Sequence, residues 1–163
     1  MKRAIFIGQA MPRAKKDPHD WPTLNAWLYS LEISDKQIRE HFFYSALVDY
    51  FPGAKNGTHI VPTKEEIVNE RPRLVNNITN FSPEIVVPIG KLSLSYCLNR
   101  EVNLLEDFIG KSYLVNPYQA LNKKLIVIPL PHPSGASTWR HKKENKKLLK
   151  LALAKLKQEL YRK

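Results

Sequence analysis

Ala4-Ile5-Phe6-Ile7, running straight into Gly8-Gln9-Ala10-Met11-Pro12, sets the architecture of this chain. An unbroken apolar run closed by a glycine reads as a strand over residues 3–8 that is buried on both faces, and such strands belong to parallel sheets covered by helices. The same arrangement returns near the other end, where Leu125-Ile126-Val127-Ile128 leads to His132-Pro133-Ser134-Gly135-Ala136-Ser137. In an open parallel sheet the ligand crevice lies beyond the carboxyl ends of the strands. The two loops are therefore expected to face one another across a pocket, one of them bringing a histidine.

Between these runs the chain alternates. Apolar strands are predicted over 42–48, 84–89 and 125–129, and helices over 23–31, 34–41, 63–81, 90–98 and 140–163. Ser34 is suited to cap its helix, because its hydroxyl can accept a free backbone N–H. Thr63-Lys64-Glu65-Glu66 matches a capping box, and Pro72 is expected to kink or split the helix that follows. A Pro/Gly-rich loop surrounds 51–57, and 99–124 reads as a short hairpin or plain loop. The expectation is an α/β fold, a three-layer α/β/α sandwich around a central, mainly parallel four-stranded sheet. With no repeat, low-complexity tract or linker in the sequence, residues 1–163 are expected to form a single domain.

Composition narrows the partners. A formal net charge of +11 favours a polyanion, because Lys and Arg gain free energy by displacing counterions condensed on a nucleic acid. Much of the excess lies C-terminal to Arg140, in Lys142, Lys143, Lys146, Lys147, Lys150, Lys155 and Lys157, interleaved with Leu148, Leu149, Leu151, Leu153 and Leu156 at helical spacing. That pattern describes a packed terminal helix whose outer face is either simply solvated or set against DNA. The single cysteine, Cys97, excludes an intrachain disulfide and any all-cysteine metal site. The short apolar run after Met1-Lys2-Arg3 cannot serve as a signal-peptide core or membrane span, so a soluble, intracellular and cytoplasmic protein is expected. The histidines show no metal-ligand spacing, the Gly8 loop lacks dinucleotide-fold and P-loop signatures, and Ser134 and Ser137 lack a nucleophile elbow.

Taken in order, Gly8-Gln9-Ala10, Phe51-Pro52-Gly53 with Asn56, Pro62, Glu66-Ile67, Pro72, Leu74, Pro83-Glu84-Ile85-Val86-Val87-Pro88-Ile89-Gly90 and His132-Pro133-Ser134 resemble the uracil-DNA glycosylase superfamily over nearly the whole chain. The resemblance is nearest to bacterial and archaeal enzymes whose first loop reads Gly-Glu-Ala-Pro-Gly and whose last begins His-Pro-Ser. It implies an enzyme of base excision repair that flips a damaged base out of DNA and hydrolyses its glycosidic bond; a monomer is the simplest assumption for the chain. Many of those relatives hold an iron-sulfur cluster on four cysteines. Two of the cluster positions fall at Asp49 and Glu70 here, so the chain is expected to carry no cluster, metal or other cofactor, with packing or ion pairs in its place.

The resemblance also implies roles. His132 would hydrogen-bond the carbonyl oxygen of the departing pyrimidine, and Trp21 would stack on the flipped base. Gly8, Gln9 and Ala10 would line the pocket. Where well-known members carry Asp or Asn to orient the attacking water, this chain has Ala10, which leaves Gln9, Asn25, Asp17 or Asp20 as water-positioning groups. Ser45 falls where relatives read uracil with an Asn; its shorter side chain leaves hypoxanthine, xanthine or mismatched thymine open beside uracil. Ser134, Gly135 and Ser137 are candidates for contact with phosphates, as are Lys55 and Lys91. Thr138, Trp139, Arg140 and His141 are candidates for insertion into DNA or for capping and packing, and Trp27 is read as core. A different class of reading, a catalytically silent DNA-binding member of the fold, follows from the lost acidic group at Ala10.

Overall fold

A computed structural model describes residues 1–11, 20–56, 58–133 and 138–163, with Thr58 and His59 described by their backbone alone. In chain order the elements are β1 (Ala4–Ala10), α1 (Pro22–Ser30), α2 (Asp35–His41), β2 (Phe42–Val48), β3 (Ala54–Lys55), β4 (Thr58–His59), α3 (Lys64–Phe81), β5 (Ile85–Pro88), α4 (Lys91–Leu98), β6 (Tyr113–Val115), β7 (Leu125–Val127) and α5 (Lys143–Tyr161). The main sheet runs β2-β1-β5-β7-β6. Its first four strands are parallel and β6 is antiparallel to β7.

The apolar runs are continuous because both faces of the sheet are covered. On β1, Ala4 and Phe6 point into a core built with Leu24 and Leu28 of α1, Ile38 of α2, and Leu153, Leu156 and Leu160 of α5. Ile5 and Ile7 point into a second core with Ile67, Leu74 and Ile78 of α3. Three layers result. The terminal helix turns Leu148, Leu149, Leu153, Leu156 and Leu160 to the core, leaving Leu151 exposed with Lys143, Lys146, Lys147 and Lys150.

Both predicted caps form. The Ser34 hydroxyl accepts from Gln37 N, the Thr63 hydroxyl accepts from Glu66 N, and each N3 side chain answers the cap's own N–H. Pro72 departs from expectation, since α3 runs through it without splitting. Pro72 and Val68, whose carbonyl loses its helical partner there, both lie on the exposed face, where water can serve that carbonyl.

The sheet has five strands, not four. The extra one, β6, pairs Tyr113 with Val127 and Val115 with Leu125, and its middle residue, Leu114, is 60% exposed. Three residues at a sheet edge, with one side in water, leave no periodic signal. The small antiparallel hairpin β3–β4, pairing Ala54 with His59 and Lys55 with Thr58, is likewise new to the structure. Its signature was present: Asn56-Gly57 is a strong hairpin-turn dipeptide, and Asn56 adopts a φ of 53°.

Candidate active site

β1 lies between β2 and β5, and a cleft opens where these parallel strands end. It is lined by Gln9, Ala10 and Met11 at the end of β1, by Trp21, by Phe51, Pro52 and Ile60 around the hairpin, and by His132, and it holds about 300 Å³ of empty space open to solvent. Gln9, Ala10 and Met11 of the first loop and His132 of the second thus meet here.

His132 owes its position to the sheet. Beyond β7 the chain stays bonded to the β5 side, with Ile128 N donating to Val86 O at 3.0 Å, Leu130 N to Pro88 O at 3.0 Å and Gly90 N to Leu130 O at 2.9 Å. Buried prolines 131 and 133 flank the half-buried histidine and restrict its backbone. Arg140 Nη1 donates to Pro133 O at 3.3 Å and so draws the far end of the loop back to the histidine's neighbour.

Trp21 is the N-cap residue of α1, followed by Pro22 at the position where a missing N–H costs least. Only 6% exposed, it meets His132 edge-on, ring centroids 5.2 Å apart at 75°, and Tyr44 at 6.0 Å. It is a wall of the cleft and a support for the histidine. Phe51, half-buried and lining the same cleft, is an aromatic that the sequence reading left without a role.

Gly8 is fixed by what lies over it. A Cβ there would fall 2.6 Å from the Tyr44 hydroxyl oxygen but 3.5 Å from its Cζ. Because Tyr44 is buried against Trp21 it cannot swing aside, and burial also raises its hydroxyl pKa. Gly8→Ala is expected to cost about 1–3 kcal/mol through overpacking. Tyr44→Phe in the same chain should recover most of it, since only the hydroxyl is in the way; urea denaturation of the two single variants and the double variant checks this.

Ser45 sits on the other face of β2. Strand alternation turns Phe42, Tyr44 and Ala46 toward the Trp21 side, and Ser45 toward α3, where its Oγ accepts from Arg73 Nη1 at 3.1 Å and Asn77 Nδ2 at 2.9 Å. These contacts are part of a polar rail. Glu66, Glu70, Arg73 and Asn77 share one side of α3 at helical spacing and engage β2 and its exit in sequence. The Tyr50 hydroxyl donates to Glu66, Asp49 N donates to Glu70 Oε1 at 2.7 Å, and Arg73 Nη2 donates to Ala46 O at 2.7 Å while its Nε stands 3.8 Å from Glu70 Oε2. Asp49 and Glu70, where the resemblance implies two of the cluster positions, are therefore bonded to each other through the Asp49 backbone N–H. Cys97 is buried on α4, and no group of three or more potential metal ligands occurs among the described residues. The residues present do not fit an iron-sulfur cluster.

The rail has a pH window. The Tyr50 bond, reinforced by Thr63 N–H, holds the Glu66 carboxyl below its ordinary 4.5, and the same bond pushes Tyr50 up to about 12. A depressed carboxyl contributes stability that is complete above 4.5 and lost as pH falls through its lower folded value; the raised phenol's share is complete below 10 and lost on rising through about 12. Glu66→Gln is expected to flatten the acid limb of melting temperature against pH, a change that calorimetry across the acid range will show.

The remaining candidates are spread around the cleft. Gln9 and Ala10 line it, whereas Asn25 lies one turn along α1, half-buried, with its N–H on Trp21 O at 2.8 Å, outside the lining set. Trp27 packs against the core. Lys55 is exposed on β3 and Lys91 is exposed at the start of α4. Trp139 is anchored: its indole N–H donates to Glu106 Oε2 at 3.0 Å, and its carbonyl accepts from Asn145 Nδ2 at 2.8 Å. That indole bond, with Lys142 and Lys91 nearby, keeps the Glu106 carboxyl below its usual range. Asp20, Thr138 and His141 are exposed, and Arg140 is half-buried. Asp17, Ser134, Gly135 and Ser137 lie outside the described residues.

Comparison with known proteins adds two findings. The family model described as the uracil DNA glycosylase superfamily matches residues 2–157. The Type-4 uracil-DNA glycosylase of Saccharolobus solfataricus is 28% identical over 139 residues, a match covering 81% of this chain and 61% of that protein. No helix among the described residues is long and apolar enough to cross a membrane.

Proposed function

This chain belongs to the uracil DNA glycosylase superfamily, and we propose that it is a monofunctional DNA glycosylase that flips out uracil, or a related deaminated base, and hydrolyses its bond to the sugar. The observation that carries the reading is the convergence of Gln9, Ala10 and Met11 with Trp21, Phe51 and His132 on one cleft. A mostly apolar pocket with a few placed polar groups suits a flat heterocycle. Trp21 and Phe51 give it aromatic walls.

In the proposed reaction the glycosidic carbon–nitrogen bond breaks with its electron pair leaving on the base, while positive charge builds on the sugar. A His132 N–H directed at the base carbonyl stabilises that anion, water adds its oxygen to the anomeric carbon, and the water's proton is released to solvent or to the base. With a methyl at Ala10, Gln9 is the cleft-lining amide available to hold the water. The partner is DNA, held by the lysines exposed along α5 and by Lys55 and Lys91, with their net charge giving salt-sensitive affinity.

The test is alkali-developed strand cleavage of labelled oligonucleotides carrying one uracil, hypoxanthine, xanthine or guanine-opposed thymine. Cleavage at uracil is expected. The methyl of Ala10 favours one second reading, a silent binder, which would show salt-sensitive DNA binding and no cleavage of any substrate.

A further inference from the structure

An enzyme that extrudes a base from a duplex leaves a gap in the stack, and apolar side chains wedged between base steps are one way to brace such a gap. The loop after His132 is poorly equipped for this, since Ser134, Gly135, Ala136 and Ser137 are all small. Trp139 beyond it is tied to Glu106 and Asn145 and packed on the core.

Across the cleft the β3–β4 hairpin presents what that loop lacks. Ile60 lines the cleft yet is 42% exposed, and Val61 beside it is 56% exposed. The lip they form has a fixed base: Ile60 N donates to Gly53 O at 3.0 Å. Gly53 adopts a φ of +107°, and a Cβ there would press to 3.3 Å from Ile60 Cδ1, so glycine is what lets the hairpin close. The hairpin follows β2 and His132 follows β7, strands on opposite sides of β1, so lip and histidine border the cleft from two sides. Lys55 is exposed on the adjoining strand.

Resting on the glycosylase reading, we propose that Ile60 and Val61 pack into the DNA base stack beside the extruded nucleotide, with Lys55 against the phosphate backbone. The hairpin then determines action on duplex over single-stranded DNA, because a single-stranded base needs little unstacking.

The test is the double variant Ile60→Ala/Val61→Ala, whose exposed positions should leave folding intact by thermal melt. Single-turnover uracil excision is compared on duplex and single-stranded oligonucleotides. The duplex-to-single-strand ratio is expected to fall on the order of tenfold. Ile60→Leu/Val61→Leu should restore most of it, and Leu114→Ala, an exposed apolar residue on the far sheet edge, should not move it. An unchanged ratio in the alanine double variant overturns the proposal. A second readout is independent of excision: 2-aminopurine placed beside a tetrahydrofuran abasic analogue brightens as its neighbours unstack on binding. If the wild-type protein excises nothing but this brightening is weaker in the double variant, the lip stands and the glycosylase reading falls. Equal brightening overturns the lip.

Discussion

His132→Ala is expected to lower single-turnover excision by on the order of 10²–10³-fold, the usual cost of removing one preorganised donor from a developing anion. The cleft makes the effect large. Met11, Ala10, Trp21, Phe51, Pro52 and Ile60 line the cleft with apolar or aromatic surface, and among the described lining residues Gln9 and His132 carry the strongly polar side chains. A donor in such surroundings interacts with charge far more strongly than one in water. Affinity for the same duplex should change much less, because the proposed binding is spread over lysines elsewhere. His132→Gln, which keeps an N–H donor, should recover part of the rate. Single-turnover kinetics beside filter binding separate the two quantities; a rate that survives the alanine change would remove the histidine from the chemistry.

Trp21→Ala is expected to cost about 3–5 kcal/mol of stability, the range for truncating a large buried aromatic, or on the order of 10 °C in melting temperature for a chain of this size. At 6% exposure, with Tyr44 on one side and His132 on the other, the indole is a packing element before it is a ligand contact. Excision should fall as well, because the histidine loses the surface its ring edge rests on. Trp21→Phe should lie between the two for both properties. Urea denaturation and excision rates measured on the same preparations distinguish this from a purely ligand-contacting tryptophan, whose loss would lower the rate and leave the melt in place.

What was legible in the sequence was whatever repeats or caps. The four apolar strands announced themselves because both faces are buried, and the helices at 34–41 and 63–81 because Ser34 and Thr63 satisfy free N–H groups in a recognisable pattern. The two loops bordering the cleft were legible for a related reason, each following such a strand. Less legible was everything set by contact across the chain. β6 is three residues with one face in water, and its pairing with β7 is invisible until the chain closes. The facing of Ser45 is a question of one residue in register, and it turns the serine to the guanidinium of Arg73 and the amide of Asn77 on α3, partners that lie 28 and 32 positions away in the chain. Trp139 looked available because its partner, Glu106, stands 33 positions away.

The corner where α3 grips the exit of β2 has a consequence for the conditions under which the protein works. Its bonds join carboxylates, a guanidinium, amides and a phenol, all supplied by the chain itself. Nothing has to be delivered to complete it, so folding there is uncoupled from the supply of iron and sulfide. Peroxide, which dismantles exposed clusters and oxidises accessible thiolates, meets neither at this corner. The one thiol in the chain is Cys97, sealed in the core with burial pushing it up to about 12, so it stays protonated and unreactive. This corner of the fold therefore offers peroxide neither a cluster nor a reactive thiol.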